Sequence, residues 1–157
     1  MLRLNIWEGA LAILIDHPLT GVGMDRFRAP AVRRAYPVEG FNMPIGASDY
    51  DPTFPQPSLP HAHNELLQAG VDLGLPGMIV FIAWYASALW MLWVCWRDGD
   101  AAARVAAAAI FAGLLAHGAY GLSDAITLWD RFSFLFWVML GLASAQYVAV
   151  RSTVLAA

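Results

Sequence analysis

The feature that most limits this chain is a set of three apolar runs in its second half. Residues 73–96, 105–123 and 132–150 contain no Asp, Glu, Lys or Arg. At about 1.5 Å of rise per residue, helices of that length reach roughly 28 to 36 Å, the thickness of a bilayer's hydrocarbon core. In lipid every backbone N–H and C=O must find a partner within the protein, and a helix satisfies them internally. Composition agrees: 59% of the 157 residues are hydrophobic and only 13% are charged, against about 25% charged in ordinary soluble domains. The sequence therefore predicts an all-α integral membrane protein with three transmembrane helices.

The first run gathers Trp84, Tyr85, Trp90, Trp93 and Trp96 toward its far end, where amphipathic aromatics suit a membrane–water interface. Arg97-Asp98-Gly99-Asp100 reads as a tight polar turn. The second run carries Gly113, Gly118 and Gly121, a small-residue face suited to close helix packing. Gly74-Leu75-Pro76-Gly77 marks a kink or restart at the head of the first run.

Upstream, residues 4–15 read as a short amphipathic helix with Leu4, Trp7, Leu11 and Leu14 on one face and Ile6, Ala10 and Ile13 adjoining. Twelve residues rise only about 18 Å, so this is expected to be an interfacial or packed helix, or the last turns of a span that begins earlier. Residues 16–60 read as irregular and proline-rich, with Pro52, Pro55, Pro57 and Pro60 as a stiff extended stretch. Phe27, Tyr36, Phe41, Tyr50 and Phe54 favour an ordered lid over a flexible linker. From His61 the pattern turns helical. The expected division is a unit at 1–72, comprising the amphipathic helix and a long loop, and a unit at 73–157 with the three spans.

Arginines near the spans set the orientation. Arg97, Arg104 and Arg151 fall on one side and Arg131 on the other. The turn at 97–104 and the C-terminus are thus expected in the cytoplasm and the long loop outside, which in a Gram-negative cell is the periplasm. The chain has no lysine and no polybasic tail, so nothing suggests nucleic acid. Its single Cys95 rules out an intramolecular disulfide and cysteine-based metal motifs. Glu8 interrupts the first apolar stretch and no small-residue cleavage site follows, so the first residues do not read as a signal peptide. It reads as the interior of a longer polytopic protein.

Two features carry chemistry. The first is His61-Ala62-His63-Asn64-Glu65, where the loop meets a helix. A histidine at a membrane surface titrates near neutrality and suits general-base work on a hydroxyl, while Asn64 can orient an imidazole or cap the helix. A plain loop histidine with a capping asparagine fits equally. The second is Arg26, Arg28, Arg33 and Arg34. Arginine's planar fork binds phosphate oxygens bidentately, so the cluster either holds a lipid-linked pyrophosphate or forms a solvated, lipid-headgroup-contacting face. His61, His63 and Glu65 could also ligate zinc. His117 lies inside a span, where a hydrogen bond to a neighbouring helix outweighs a catalytic role. Asp124, Asp130 and Arg131 stand where they could share an outward cavity with His63, or form an interfacial ion pair.

The motifs Leu19-Thr20-Gly21-Val22-Gly23-Met24-Asp25-Arg26-Phe27, after Asp16-His17-Pro18, then His61 to Gln68, then Leu73-Gly74-Leu75-Pro76-Gly77 entering a span, resemble the C-terminal part of the O-antigen ligase and polymerase superfamily. The resemblance covers most of residues 7–85 and implies a multi-span, mostly helical membrane glycosyltransferase fold. It implies an undecaprenyl-pyrophosphate-linked glycan donor, with lipid A core, another glycan or a protein as acceptor, in the bacterial inner membrane. No cofactor and no metal are expected. His63 and Asn64 match the family's functional histidine segment. Arg26, Arg28 and Arg33 are the candidates for the donor pyrophosphate, and His61 has no counterpart. Members have roughly ten to twelve spans, so the enzyme expected is the intact parent, and this chain alone is expected to be inactive. O-antigen polymerase, protein O-oligosaccharyltransferase, and a transporter or flippase piece are the alternatives. A metal-dependent hydrolase and a purely structural membrane subunit stand behind them.

Overall fold

The computed structural model describes residues 2–55, 59–125 and 133–156. Five helices follow one another: α1 (Leu2–Asp16), α2 (Pro30–Ala35), α3 (Glu65–Asp98), α4 (Ala101–Gly121) and α5 (Ser133–Ala156). There is no strand among the described residues. Helices α3, α4 and α5 are long and apolar enough to cross a membrane, and they pack against one another, while α1 packs on α3. The expected all-α membrane architecture therefore holds.

The bundle closes on small residues. Ala88, Ala103, Ala107 and Ala143 are buried between the helices, and a Cβ on Gly113 would stand 2.9 Å from Met139 Sδ. Lipid tails are as apolar as leucine, so close van der Waals packing rather than water exclusion drives such contacts. Trp90, Trp93 and Trp96 point out of the bundle, more than half exposed. His117 bonds Tyr85 of α3, with Tyr85 Oη 2.6 Å from Nδ1, and stacks on Phe136 of α5. It is an interhelical tie. The polar turn also holds: Gly99 caps α3 and the Asp100 carboxylate accepts the Ala103 N–H at 2.8 Å.

Several boundaries differ from expectation. Helix α4 starts at Ala101 and ends at Gly121, because Asp100 supplies an N-cap that hydropathy does not register. Helix α3 starts at Glu65 under Asn64, and α5 runs past Arg151. Phe132, Asp130 and Arg131 lie outside the described residues, as does Pro57. The loop expected to be irregular throughout contains α2, whose Pro30 fits a first helical turn since that position needs no N–H donor.

The buried face of α1 is Ile6, Ala10 and Ile13, whereas Leu4 and Leu11 are 58% and 44% exposed. The inner stripe meets Phe27, Val38, Leu59 and Ala62 from the loop and Val71 from α3. This second core lies beside the spans, and burying Phe27 alone contributes about 1.5–3 kcal/mol. Polar ties order the rest of the loop: Arg34 makes two hydrogen bonds to Asp49, and Asn42 Oδ1 accepts the Met43 and Asp51 N–H groups.

The loop locks onto α3 at a break. Gly74 has φ 71° inside α3, which frees the carbonyls before it and the N–H groups after it. The glycine turn takes them up. Val22 N–H donates to the Val71 carbonyl at 2.8 Å, Gly23 N–H to the Asp72 carbonyl at 3.2 Å, and Leu75 N–H to the Pro18 carbonyl at 2.7 Å. Side chains are excluded on both sides of the junction. A Cβ on Gly21 would collide with the Val71 carbonyl, and one on Gly74 would stand 2.6 Å from the Pro18 carbonyl.

Candidate functional site

The break at Gly74 and the cap at Asn64 bracket a two-and-a-half-turn helix whose N-terminal end presents the histidines. Asn64 Oδ1 accepts the Leu67 N–H at 3.0 Å, and its amide donates to the Leu122 carbonyl at 3.3 Å, tying the start of α3 to the end of α4. Gln68, buried, accepts the Ala62 N–H at 2.7 Å and donates to Asp72 Oδ2 at 2.9 Å. These bonds hold His63 at φ 47°, a left-handed conformation that costs a non-glycine residue about 1–3 kcal/mol. Such strain persists only where neighbours over-determine it.

The consequence is a cluster. The rings of His61 and His63 lie 4.3 Å apart, and both face Asp124, just beyond α4. His63 Nδ1 is 3.3 Å and His61 Nε2 is 3.5 Å from Asp124 Oδ1. Asp124 is itself held: Tyr120 Oη donates to its Oδ2 at 3.0 Å and Ala125 N–H to its Oδ1 at 2.9 Å. Burial pushes the Asp124 carboxyl up, but the Ala125 N–H, the Tyr120 hydroxyl and the two imidazoles outweigh it and keep it below the usual carboxylate range. Asp124 thus sets a carboxylate oxygen within ion-pair range of His63 Nδ1, the ring nitrogen opposite Nε2. Glu65 does not join them. It is buried beside α4, where a Cβ on Gly121 would stand 2.7 Å from its Oε2.

The arginines separate. Arg26 and Arg28 line an open cleft of about 620 Å³ with Met24, Pro44, Leu59 and Pro60, and Pro60 directly precedes His61. Arg28 pairs with Asp25, while Arg26 has no side-chain partner among the described residues. Arg33 is not in the cleft. It is 2% exposed, with its guanidinium 5.5 Å over the Phe27 ring and Nη1 bonded to the Tyr36 carbonyl, and burial lowers its pKa. Arg34 faces outward to Asp49. Below the arginine cleft, and sharing Met24 with it, an apolar groove of about 520 Å³ runs between α3 and α5, lined by Leu73, Pro76, Val80, Trp84 and Trp137.

The O-antigen ligase family model matches residues 1–82, just over half of the chain. The chain belongs to the O-antigen ligase family. The match spans α1, the glycine turn, the arginine cleft, His63-Asn64 and the break at Gly74. With three apolar helices of spanning length, this member of the family is a membrane protein whose family works in O-antigen biosynthesis. No curated protein and no solved structure matches it.

Asp124 lies outside the matched stretch. Sequence reading set it near the outward end of the second span but not as the partner of both histidines. The signal available was the polar Ser123-Asp124 pair at the end of an apolar run.

Proposed function

We propose that this O-antigen ligase family member transfers a glycan from an undecaprenyl-pyrophosphate-linked donor to an acceptor hydroxyl, as a ligase acting on lipid A core at the periplasmic face. The observation that carries the reading is the 3.3 Å approach of His63 Nδ1 to a fixed, anionic Asp124 beside a cleft lined with arginine. In this scheme the acceptor hydroxyl gives its proton to His63 Nε2 as its oxygen bonds the donor's anomeric carbon. The bond from that carbon to the phosphate oxygen breaks, and undecaprenyl pyrophosphate leaves with both electrons. Arg26 and Arg28 offset the charge that gathers on the leaving group. The apolar groove that shares Met24 with the cleft suits the start of the prenyl chain. Asn64 acts as a positioning residue, since both ends of its amide are engaged in holding the turn, and Arg33 stiffens the wall behind the cleft through Phe27. Residues 1–72 then carry His63 and the cleft arginines, and 73–157 supply the membrane support together with Asp124 and the apolar groove.

The test is complementation in cells lacking their own O-antigen ligase. The full-length gene product is compared with His63→Ala at matched membrane levels, by the polysaccharide ladder on extracted lipopolysaccharide. General-base loss costs about 10²–10⁴-fold in rate, so the ladder should return with wild type and vanish with His63→Ala. A ladder that survives the substitution would remove His63 from the reaction.

A further inference from the structure

The His61–His63–Asp124 cluster is more than a base and its orienting carboxylate requires. One histidine and one acid would suffice, yet His61 is brought to the same carboxylate oxygen by a turn strained at His63. All three side chains are partly open, at 20%, 29% and 26% exposed, so an ion in solution can reach them. One donor atom from each lies within 4.8 Å of the others. A tetrahedral metal with bonds of about 2.0–2.1 Å holds its ligand atoms about 3.4 Å apart. The two histidine–aspartate separations, 3.5 and 3.3 Å, already match that edge.

We propose that His61 Nε2, His63 Nδ1 and an Asp124 oxygen form a binding site for a zinc-class divalent cation. Imidazole nitrogen and carboxylate suit such an ion, and three protein ligands leave a position for water. The Tyr120 hydroxyl on Asp124 Oδ2 is the outer partner that orients a ligating carboxylate. His61 must present a lone pair at Nε2, which moves its proton to Nδ1 and gives up the long 3.3 Å contact from the His63 N–H. The loop residues Arg26 and Arg28 line the neighbouring cleft.

Occupancy has a chemical consequence that rests on the transferase reading, although the site does not. A metal on His63 Nδ1 leaves the ring's proton on Nε2, and Nε2 then cannot accept a proton from a hydroxyl. The cation would therefore inhibit transfer.

The experiment is calorimetric titration of zinc chloride into the full-length gene product in detergent, without donor or acceptor. One zinc per cluster is expected, weakened at least about tenfold in His61→Ala and in Asp124→Ala and unchanged in His17→Ala, whose ring bonds Tyr36 instead. Cobalt(II) on His61→Cys supplies the check that a merely misfolded variant cannot mimic: a sulfur-to-cobalt charge-transfer band shows position 61 ligating directly. Absent zinc binding to wild type, undiminished binding to His61→Ala, or no sulfur band with His61→Cys would each overturn the site. The His63→Ala ladder, run without added metal, reports on the transferase reading alone.

Discussion

At the scale of single residues, Asp124 is the carboxylate that both histidines face. His63 and Asn64 were visible in the sequence because a histidine-asparagine pair at the mouth of a helix is a local pattern. Asp124 was legible only as one of several groups able to share an outward cavity with His63, because its pairing with both histidines needs α3 and α4 packed antiparallel and the Asn64 amide bonded to the Leu122 carbonyl. Arg33 shows the reverse case. It sits in an arginine cluster by sequence, yet on a six-residue helix its neighbour Arg34 faces Asp49 while Arg33 is buried over Phe27. If Asp124 fixes the tautomer of His63, Asp124→Asn keeps the shape and removes the charge. Transfer should fall by a good part of the about 10²–10⁴-fold that a general base supplies, with Asp124→Glu recovering some of it. Single-turnover transfer in proteoliposomes measures this, and an unchanged rate in Asp124→Asn would separate the acid from the base.

At the scale of elements, the glycine turn and the helix break are one device. Sequence pattern located both, at Gly21-Val22-Gly23 and Gly74-Leu75-Pro76-Gly77, but not that each supplies the other's missing hydrogen bonds. Periodicity reports on one segment at a time, and these partners lie some fifty residues apart. The same limit explains α1: it is apolar nearly all round, so the sequence offers two stripes, and only the loop core decides that Ile6, Ala10 and Ile13 face inward. Gly74→Ala should destabilise the protein by more than the about 1–3 kcal/mol of a residue held in a glycine-only backbone region, because its Cβ also meets the Pro18 carbonyl. Gly141→Ala on α5 is the control, since a Cβ there meets nothing within 4 Å, and it should be neutral or slightly stabilising. Thermal unfolding in detergent, followed by a reporter on the loop, distinguishes them. Equal midpoints for the two variants would deny the break its role.

At the scale of the whole molecule, two kinds of core are joined. Where the loop meets α1, water exclusion drives burial of large side chains such as Phe27. Between the spans, alanines and glycines let backbones approach. The proposed transfer reaction requires this loop to face the compartment that holds donor and acceptor, and the arginines near the spans bear on which that is. Arg97 and Arg104 flank the α3–α4 turn and Arg151 lies near the end of α5, so the proposed orientation sets that turn in the cytoplasm and the loop in the periplasm. Cysteine labelling tests it cleanly, because the single native Cys95 is fully buried in the bundle. Ile45→Cys, at a position 80% exposed on the loop, should react with a membrane-impermeant maleimide in cells whose outer membrane alone is opened. Ala101→Cys, exposed at the start of α4, should react only after the inner membrane is permeabilised. The opposite pattern would turn the His63 cluster toward the cytoplasm, away from any periplasmic acceptor, and the ligase reading would fail with it.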